Sequence, residues 1–158
     1  MPAVSAVSEA VEPAVPADGP PYATYEDLAE CAGIVLGSPT RFGNMGAPLK
    51  YWLDGTGSQW LGGTLAGKPA GLFTSTSTLH GGQESTLLTM AVPLLHHGML
   101  IVGVPYTEPV LSSTTTGGSP YGASHVTWNR ENDRLSDDDR TIARALGARV
   151  ARVAIKLQ

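Results

Sequence analysis

Residues 33–55 read GIVLGSPTRFGNMGAPLKYWLDG, and this stretch joins the three kinds of segment that predict the fold. The apolar run 33–37 has the length of a strand, and a glycine-rich polar loop follows it. A helix is predicted from Ala47, with Pro48 in its first turn and Gly55 at its end. A strand, a polar loop and a helix in this order form the building block of a parallel α/β sheet.

The same order recurs further along the chain. An apolar strand is predicted at 70–76, and the loop STLHGGQE follows it. The next helix begins near Gln83, contains Pro93 and ends at Gly98. This helix is apolar on nearly all sides, so we expect it to be buried. A third strand is predicted at 99–105.

Two further helices and one long loop complete the prediction. A short helix is expected within 24–32, with Thr24 as its cap, and residues 106–128 form a loop rich in Ser, Thr and Gly. The last helix has Ser136 as its cap and acidic residues in its first turn. Its apolar positions share one face: Ile142, Leu146, Val150, Val153 and Leu157. The predicted fold class is α/β, a three-layer sandwich around a parallel sheet.

Composition limits the classes of protein that fit. The chain has 158 residues, enough for one domain, which we place at 23–158. Segment 1–22 carries five of the twelve prolines and no base, so we expect an extended or disordered arm. The chain has no apolar run long enough to span a membrane and no positively charged start, which predicts a cytoplasmic protein without membrane insertion. A net charge of -4 argues against nucleic acid as a partner, and Cys31 is the only cysteine.

Polar residues gather in the loops that follow the three predicted strands, where ligands bind in open α/β sheets. Thr40 offers a hydroxyl, Arg41 a guanidinium and Phe42 an aromatic face, which suit a flat heteroaromatic ligand with polar edges. A turn that only leads into the helix is the alternative. In the second loop, Gly81 and Gly82 follow a row of hydroxyl residues and predict an anion site at a helix start. The alternative is an ordinary loop in which the glycines and serines have no binding role.

Two other features leave alternatives open. His96 and His97 lie at a helix end, where one of them caps the helix or carries a positive charge, and adjacent histidines do not suit one metal ion. We therefore expect no metal site. Trp60 is expected on a loop between glycines, where its ring fills a gap in the core or forms a platform for an aromatic substrate. The chain has no Gly-x-Ser-x-Gly elbow, which argues against a hydrolase. It also has neither a mononucleotide P-loop nor a Gly-x-Gly-x-x-Gly fingerprint.

Four segments occur in a characteristic order and spacing: GSPTRFGNM (37–45), TSTLHGGQE (76–84), LLHHGMLIVG (94–103) and GGSPYGAS (117–124). Together they resemble the WrbA family of flavodoxin-like, FMN-dependent NAD(P)H:quinone oxidoreductases, from about Pro21 to the end of the chain. The resemblance implies an enzyme that assembles as a homotetramer. Its reaction passes a hydride from NADH or NADPH to flavin N5 and then two electrons to a quinone, in a ping-pong sequence.

The resemblance also implies roles for individual residues, although no side chain acts as a nucleophile. Arg41 and His96 are expected to stabilise charge on the flavin, and Trp60 is expected to face the substrate. The positions expected to contact FMN are Thr40, Arg41, Phe42, Gly43, Asn44, Ser75, Thr76, Ser77, Thr78, Leu79, His80 and His96.

The sequence departs from the family pattern at its start. Family members begin with a strand, a Ser/Thr-rich turn that holds the FMN phosphate, a long helix and a second strand, and this sequence begins at Met1 beyond all of them. The flavodoxin fold has the strand order 2-1-3-4-5. Without its first two strands, the run 33–37 becomes an exposed edge of the sheet. We expect weakened FMN binding. The alternative hypothesis is a truncated, non-catalytic flavodoxin-like protein that acts through association with a subunit or partner.

Overall fold

The computed structural model describes residues 18, 20–127 and 134–158. Most of the arm predicted at 1–22 therefore lies outside the described residues, and its conformation stays a prediction. No helix in the described ranges is both long and apolar enough to cross a bilayer.

Helices and strands alternate along the described chain, and most of the predicted elements are confirmed. Thr24 and Ser136 cap their helices with reciprocal hydrogen bonds, as their sequence patterns predict. The elements in order are α1 (Tyr25–Glu30), β1 (Ile34–Pro39), α2 (Ala47–Asp54), α3 (Gly57–Leu61), β2 (Pro69–Thr76), α4 (Gln83–His96), β3 (Leu100–Ile101), a 3-10 helix (Pro109–Ser112), β4 (Ala123–Val126) and α5 (Asp137–Leu157).

The sheet is parallel throughout, and β2 lies at its centre. β1 pairs with one side of β2, while β3 and β4 share the other side. β3 lies beside the amino-terminal end of β2, where Pro69 is opposite Leu100. β4 lies beside the carboxyl-terminal end, where Ser75 is opposite His125. The two short strands β3 and β4 therefore occupy the side of β2 where one longer strand would otherwise pair.

This division corrects two predictions. The strand predicted at 99–105 is reduced to Leu100–Ile101, and the loop predicted at 106–128 contains β4. The chain leaves β2 after Val102 because the N–H of Val104 donates to Pro120 O at 3.0 Å instead of to β2, and Pro105 has no N–H to donate. The excursion ends at Ala123, where pairing with β2 resumes.

One face of the sheet is closed by α4. Leu72 of β2 packs against Leu87, Met90 and Leu94 of this helix, and each of these side chains is at most 1% exposed. The prediction that α4 is buried on all sides is wrong, because a helix that packs on a sheet with one side leaves the opposite side to solvent. That opposite side carries an exposed apolar stripe, Leu88, Val92 and Leu95, which are 47%, 53% and 58% exposed.

The other face is only partly covered by α5. Ile142, Leu146 and Val150 are buried, and α5 lies above β2 and β4, with little contact to β1. Val35 of β1 and Phe73 of β2 remain 46% and 47% exposed. A cleft of about 550 Å³ lies between α5 and this uncovered part of the sheet. Among the strands that the structure describes, β1 forms one edge of the sheet, and β3 and β4 form the other.

Candidate functional site

Three strands, β1, β2 and β4, end at the same edge of the sheet. Pro39 of β1 lies opposite Ser75 of β2, and Ser75 lies opposite His125 of β4. Because the strands are parallel and in register, their carboxyl ends are level. This edge is where open α/β sheets bind ligands, and the loops after β1 and β2 carry most of the site residues expected from the sequence.

The first loop contains a tight turn with an exposed aromatic ring at its tip. The N–H of Arg41 donates to Asn44 O at 2.7 Å, and the N–H of Asn44 donates back to Arg41 O at 3.0 Å. Phe42 and Gly43 between them have φ values of 53° and 76°. Two successive left-handed residues form a type I′ turn, which is costly for a bulky residue such as Phe42. The Phe42 ring is fully exposed, so the turn presents it to solvent.

Arg41 places a positive charge beside this turn. One guanidinium N–H donates to Thr40 O at 2.8 Å, and the side chain is exposed. Since a guanidinium has five N–H donors, Arg41 retains donors for a ligand. Arg41 and Asn44 line a concave surface of about 690 Å³ beside β1. That volume is in the range of small-molecule sites.

The second loop is held by its own polar groups. The Thr76 hydroxyl donates to Thr78 O at 2.8 Å, and the N–H of Gly81 donates to the same carbonyl at 3.1 Å. Ser77, Thr78 and His80 have exposed side chains. The loop therefore has an ordered backbone and hydroxyl and imidazole groups available on its surface.

The two loops touch each other. The N–H of Thr40 donates to Ser75 O at 2.9 Å, and the hydroxyls of Thr40 and Thr86 lie 2.7 Å apart. A Cβ at Gly82, which has a φ of 100°, would lie 2.9 Å from Gly43 Cα, so glycine is required there. The structure thus brings Thr40 to Asn44 and Ser75 to His80 to one edge of the sheet.

His96 and Trp60 lie at the opposite end of the molecule. α4 starts at the loop edge and runs 14 residues away from it, so His96 is about 20 Å from Gln83 at 1.5 Å per residue. The Trp60 Nε1–H donates to His96 O at 2.8 Å, which places both residues together. Trp60 belongs to α3 and not to a loop as expected, because Thr56 O accepts the Trp60 N–H and closes a helical turn.

His97, and not His96, is the partly buried member of the histidine pair, and it caps α4. The Thr56 hydroxyl donates to Leu53 O at 2.6 Å, so His97 Nε2 must donate to Thr56 Oγ1 at 2.9 Å. Burial, followed by the neighbouring His96, lowers the pKa of His97 below its ordinary value. His97 is therefore neutral near pH 7. Its Nδ1 is buried and has no hydrogen-bond partner within the described residues.

The sequence reading missed a second polar centre, around Asp139. This buried carboxylate receives hydrogen bonds from His125 Nδ1 at 2.9 Å and from the Thr116 hydroxyl at 2.9 Å. The N–H groups of Gly117 and Ser136 also donate to it. Burial alone would raise the pKa of Asp139, but these hydrogen bonds outweigh burial and lower the pKa.

The sequence did not predict this centre, because the acidic residue at position 139 is already accounted for by the capping box, in which Asp139 is the third residue of α5. His125 lies in β4, which is only four residues long and has the composition of the loop around it. The centre holds the start of α5 to β4 and to the long loop. At this point the long loop therefore helps to hold α5 against β4.

Comparisons with known proteins find a matching family and similar sequences. The model of the NADPH-dependent FMN reductase family matches residues 3–107. The NAD(P)H dehydrogenase (quinone) of Trichlorobacter lovleyi is 50% identical over 139 residues, which cover 87% of this chain and 68% of that protein. The protein of the same name from Geobacter sulfurreducens is 47% identical over 150 residues, which cover 94% and 74%.

A solved structure shows the same fold. The flavodoxin, WrbA-like protein from Agrobacterium tumefaciens superposes with a TM-score of 0.65 at 25% identity, over 85% of this chain and 73% of that one. The flavodoxin-like α/β fold expected from the sequence is confirmed.

Proposed function

This chain belongs to the NADPH-dependent FMN reductase family, and from that membership we propose that it is an FMN-dependent NAD(P)H:quinone oxidoreductase of the WrbA type. We assign the activity to a single domain at 23–158. The observation that carries the proposal is the close approach of the loops after β1 and β2, where a Cβ at Gly82 would lie 2.9 Å from Gly43 Cα. The hydrogen bond between Thr40 and Thr86 joins the first loop to the start of α4 at the same edge.

The residues at this edge fit a flat cofactor with polar margins. Phe42 offers an exposed ring, and Arg41 offers a positive charge within the same turn. Ser77, Thr78 and His80 supply polar groups from the second loop. When bound, FMN supplies the redox chemistry, taking two electrons from NAD(P)H as a hydride and passing two electrons to a quinone in a second half-reaction.

The chain's own contribution is binding and electrostatics. The ordered turns place their groups before the ligand arrives, which reduces the entropic cost of orienting it. The Arg41 guanidinium favours uptake of negative charge beside it, because a fixed positive group needs no reorganisation during the reaction. No nucleophilic side chain is needed for this function.

The roles expected for His96 and Trp60 require a second copy of the chain. Both residues lie about 20 Å from the loop edge of their own subunit. We propose that the protein is a homo-oligomer, a tetramer by family resemblance, in which the α4 stripe (Leu88, Val92 and Leu95) packs on a neighbour. Light scattering of Val92→Glu should show smaller particles than the unsubstituted protein. A monomeric unsubstituted protein would contradict the oligomer.

Turnover by the 158-residue chain tests the main proposal. With FMN, NADH or NADPH, and benzoquinone, we expect quinone reduction that depends on added FMN. Arg41→Ala should lower kcat/KM by about tenfold or more, since hydrogen bonds to charged groups contribute about 1.5–3 kcal/mol. Arg149→Ala, an exposed position on α5, is the matched control. A folded chain that gives no FMN-dependent turnover would contradict the proposal.

A second candidate is a non-catalytic protein that acts by association. It is favoured by the apolar cleft beside α5 and by the edge position of β1, since an unpaired edge strand invites pairing with another chain. The two candidates differ in one combination of results. A folded protein that associates stably but neither binds FMN nor reduces quinone supports the second candidate.

A further inference from the structure

We propose that Gln83 and Thr86, three residues apart at the start of α4, are positioning residues that set the spacing between the two candidate FMN loops. This inference rests on the proposed function and deepens it. Each residue is buried, each projects from the same rigid turn, and each is hydrogen-bonded to a different loop.

Thr86 holds the first loop. Its side chain is fully buried, and its hydroxyl lies 2.7 Å from the hydroxyl of Thr40. Thr40 is the first residue after β1, and the Arg41–Asn44 turn follows it directly. The position of this turn therefore depends on a side chain that contributes nothing to the surface of the site.

Gln83 holds the second loop. Its Nε2 donates to Leu79 O at 2.8 Å, and its Oε1 accepts from the Ser124 hydroxyl at 2.6 Å. Ser124 Oγ in turn accepts from the N–H of Gly118 at 2.6 Å. Because donor and acceptor partners lie on different atoms, the amide has only one satisfactory orientation. The second loop is thereby connected to β4 and to the long loop.

The two hydrogen-bonded contacts act through one helical turn. The loops originate from different strands, and the turn at Gln83–Thr86 is the element that both contact through buried side chains. A cofactor held between the loops needs both at the correct separation, and a displacement of about 1 Å is costly to binding and rate. Gln83 and Thr86 are thus expected to affect FMN without touching it.

The first test is Thr86→Val, which keeps the shape of the side chain and removes the hydroxyl. Loss of one buried hydrogen bond should raise the Kd for FMN about fivefold. Thr89→Val is the matched control, because among the residues that the structure describes the Thr89 hydroxyl donates only to Thr86 O, at 3.1 Å within its own helix. Fluorescence titration of FMN into both variants gives the comparison.

The second test needs no flavin. Amide hydrogen exchange in the flavin-free protein should rise about fivefold at 40–44 in Thr86→Val, with little change at 77–82. Gln83→Met should give the reverse pattern. A general loss of stability would raise exchange in both loops together, so the reciprocal pattern separates positioning from destabilisation.

A double substitution completes the design. If Thr86 acts through Thr40, then Thr86→Val should change the FMN Kd less than twofold in a Thr40→Val background. An undiminished effect there, or equal effects of Thr86→Val and Thr89→Val, overturns the inference. If the unsubstituted chain binds no FMN, the proposed function fails, while the exchange pattern still decides whether Gln83 and Thr86 hold the loops.

Discussion

The two faces of the sheet both carry large apolar side chains, but these side chains differ greatly in burial. On the α4 face, Leu72 and Leu87 are at most 1% exposed. On the α5 face, Val35 and Phe73 remain nearly half exposed beside a cleft of about 550 Å³. Leu72 and Phe73 are neighbours in one strand, so composition does not explain the difference. The position of the covering helix decides which apolar residues contribute to stability.

The largest effect is expected from a pair of substitutions, one on each face. Leu87→Ala removes a fully buried side chain and should lower the free energy of unfolding by about 3 kcal/mol. Phe73→Ala removes a larger side chain and should lower it by only about 1 kcal/mol, because half of the ring is already in water. Urea denaturation measures both. Equal costs would mean that the α5 face is covered in solution.

The next effect concerns the anchor of α5. Asp139→Asn leaves the donors of His125, Thr116 and Gly117 facing an amide, and should lower the free energy of unfolding by about 2 kcal/mol. The pKa of Asp139 is lowered in the folded state, so its contribution is present above the ordinary value of 3.8 and is lost as pH falls through the lowered pKa. The difference between the two proteins should therefore shrink only below about pH 3.8.

A gain in stability is expected at Gly147, which lies in α5 beside the open cleft. A Cβ there meets nothing within 4 Å. Gly147→Leu should stabilise the protein by about 1 kcal/mol through helix propensity, and should reduce binding of a dye that fluoresces in apolar clefts. Ala148→Leu, on the exposed side of α5, is the control for dye binding. Unchanged dye fluorescence in Gly147→Leu would show that the dye does not enter the cleft.

The smallest effect is a pH dependence at the far end of the α4 face. Because the pKa of His97 is lowered on folding, its contribution is present above its ordinary value of 6.5 and is lost as pH falls below it. Thermal unfolding of the unsubstituted protein should therefore show a small decrease in Tm between about pH 6.5 and 5. In His97→Gln this decrease should be absent. A decrease of the same size in His97→Gln would assign it to other groups.

The fold was largely predictable because its signals are local. The capping boxes at Thr24 and Ser136 and the glycine φ values at Gly82 and Gly98 depend on neighbouring residues, and they mark the helix boundaries. Strand β4 was not predicted. Its four residues lie inside a polar, glycine-rich segment, and only pairing with β2 makes them a strand.

The candidate site was predictable in part for the same reason. Parallel strands put their carboxyl ends at one edge, so the loops that begin at Thr40 and Ser77 were expected to lie together. Their binding of FMN stays a prediction. The separation of His96 from those loops could not be read from the sequence, because it follows from the direction and length of α4 across the sheet.

By itself, the sequence determined most of the strands and helices, their caps and the polar loops, because these depend on backbone preferences over a few residues. Only the tertiary structure decided which apolar face is covered, which donors surround Asp139, and that Trp60 pairs with His96 away from the loop edge. Those outcomes depend on contacts between residues far apart in the chain, and no local pattern encodes where a distant partner will lie.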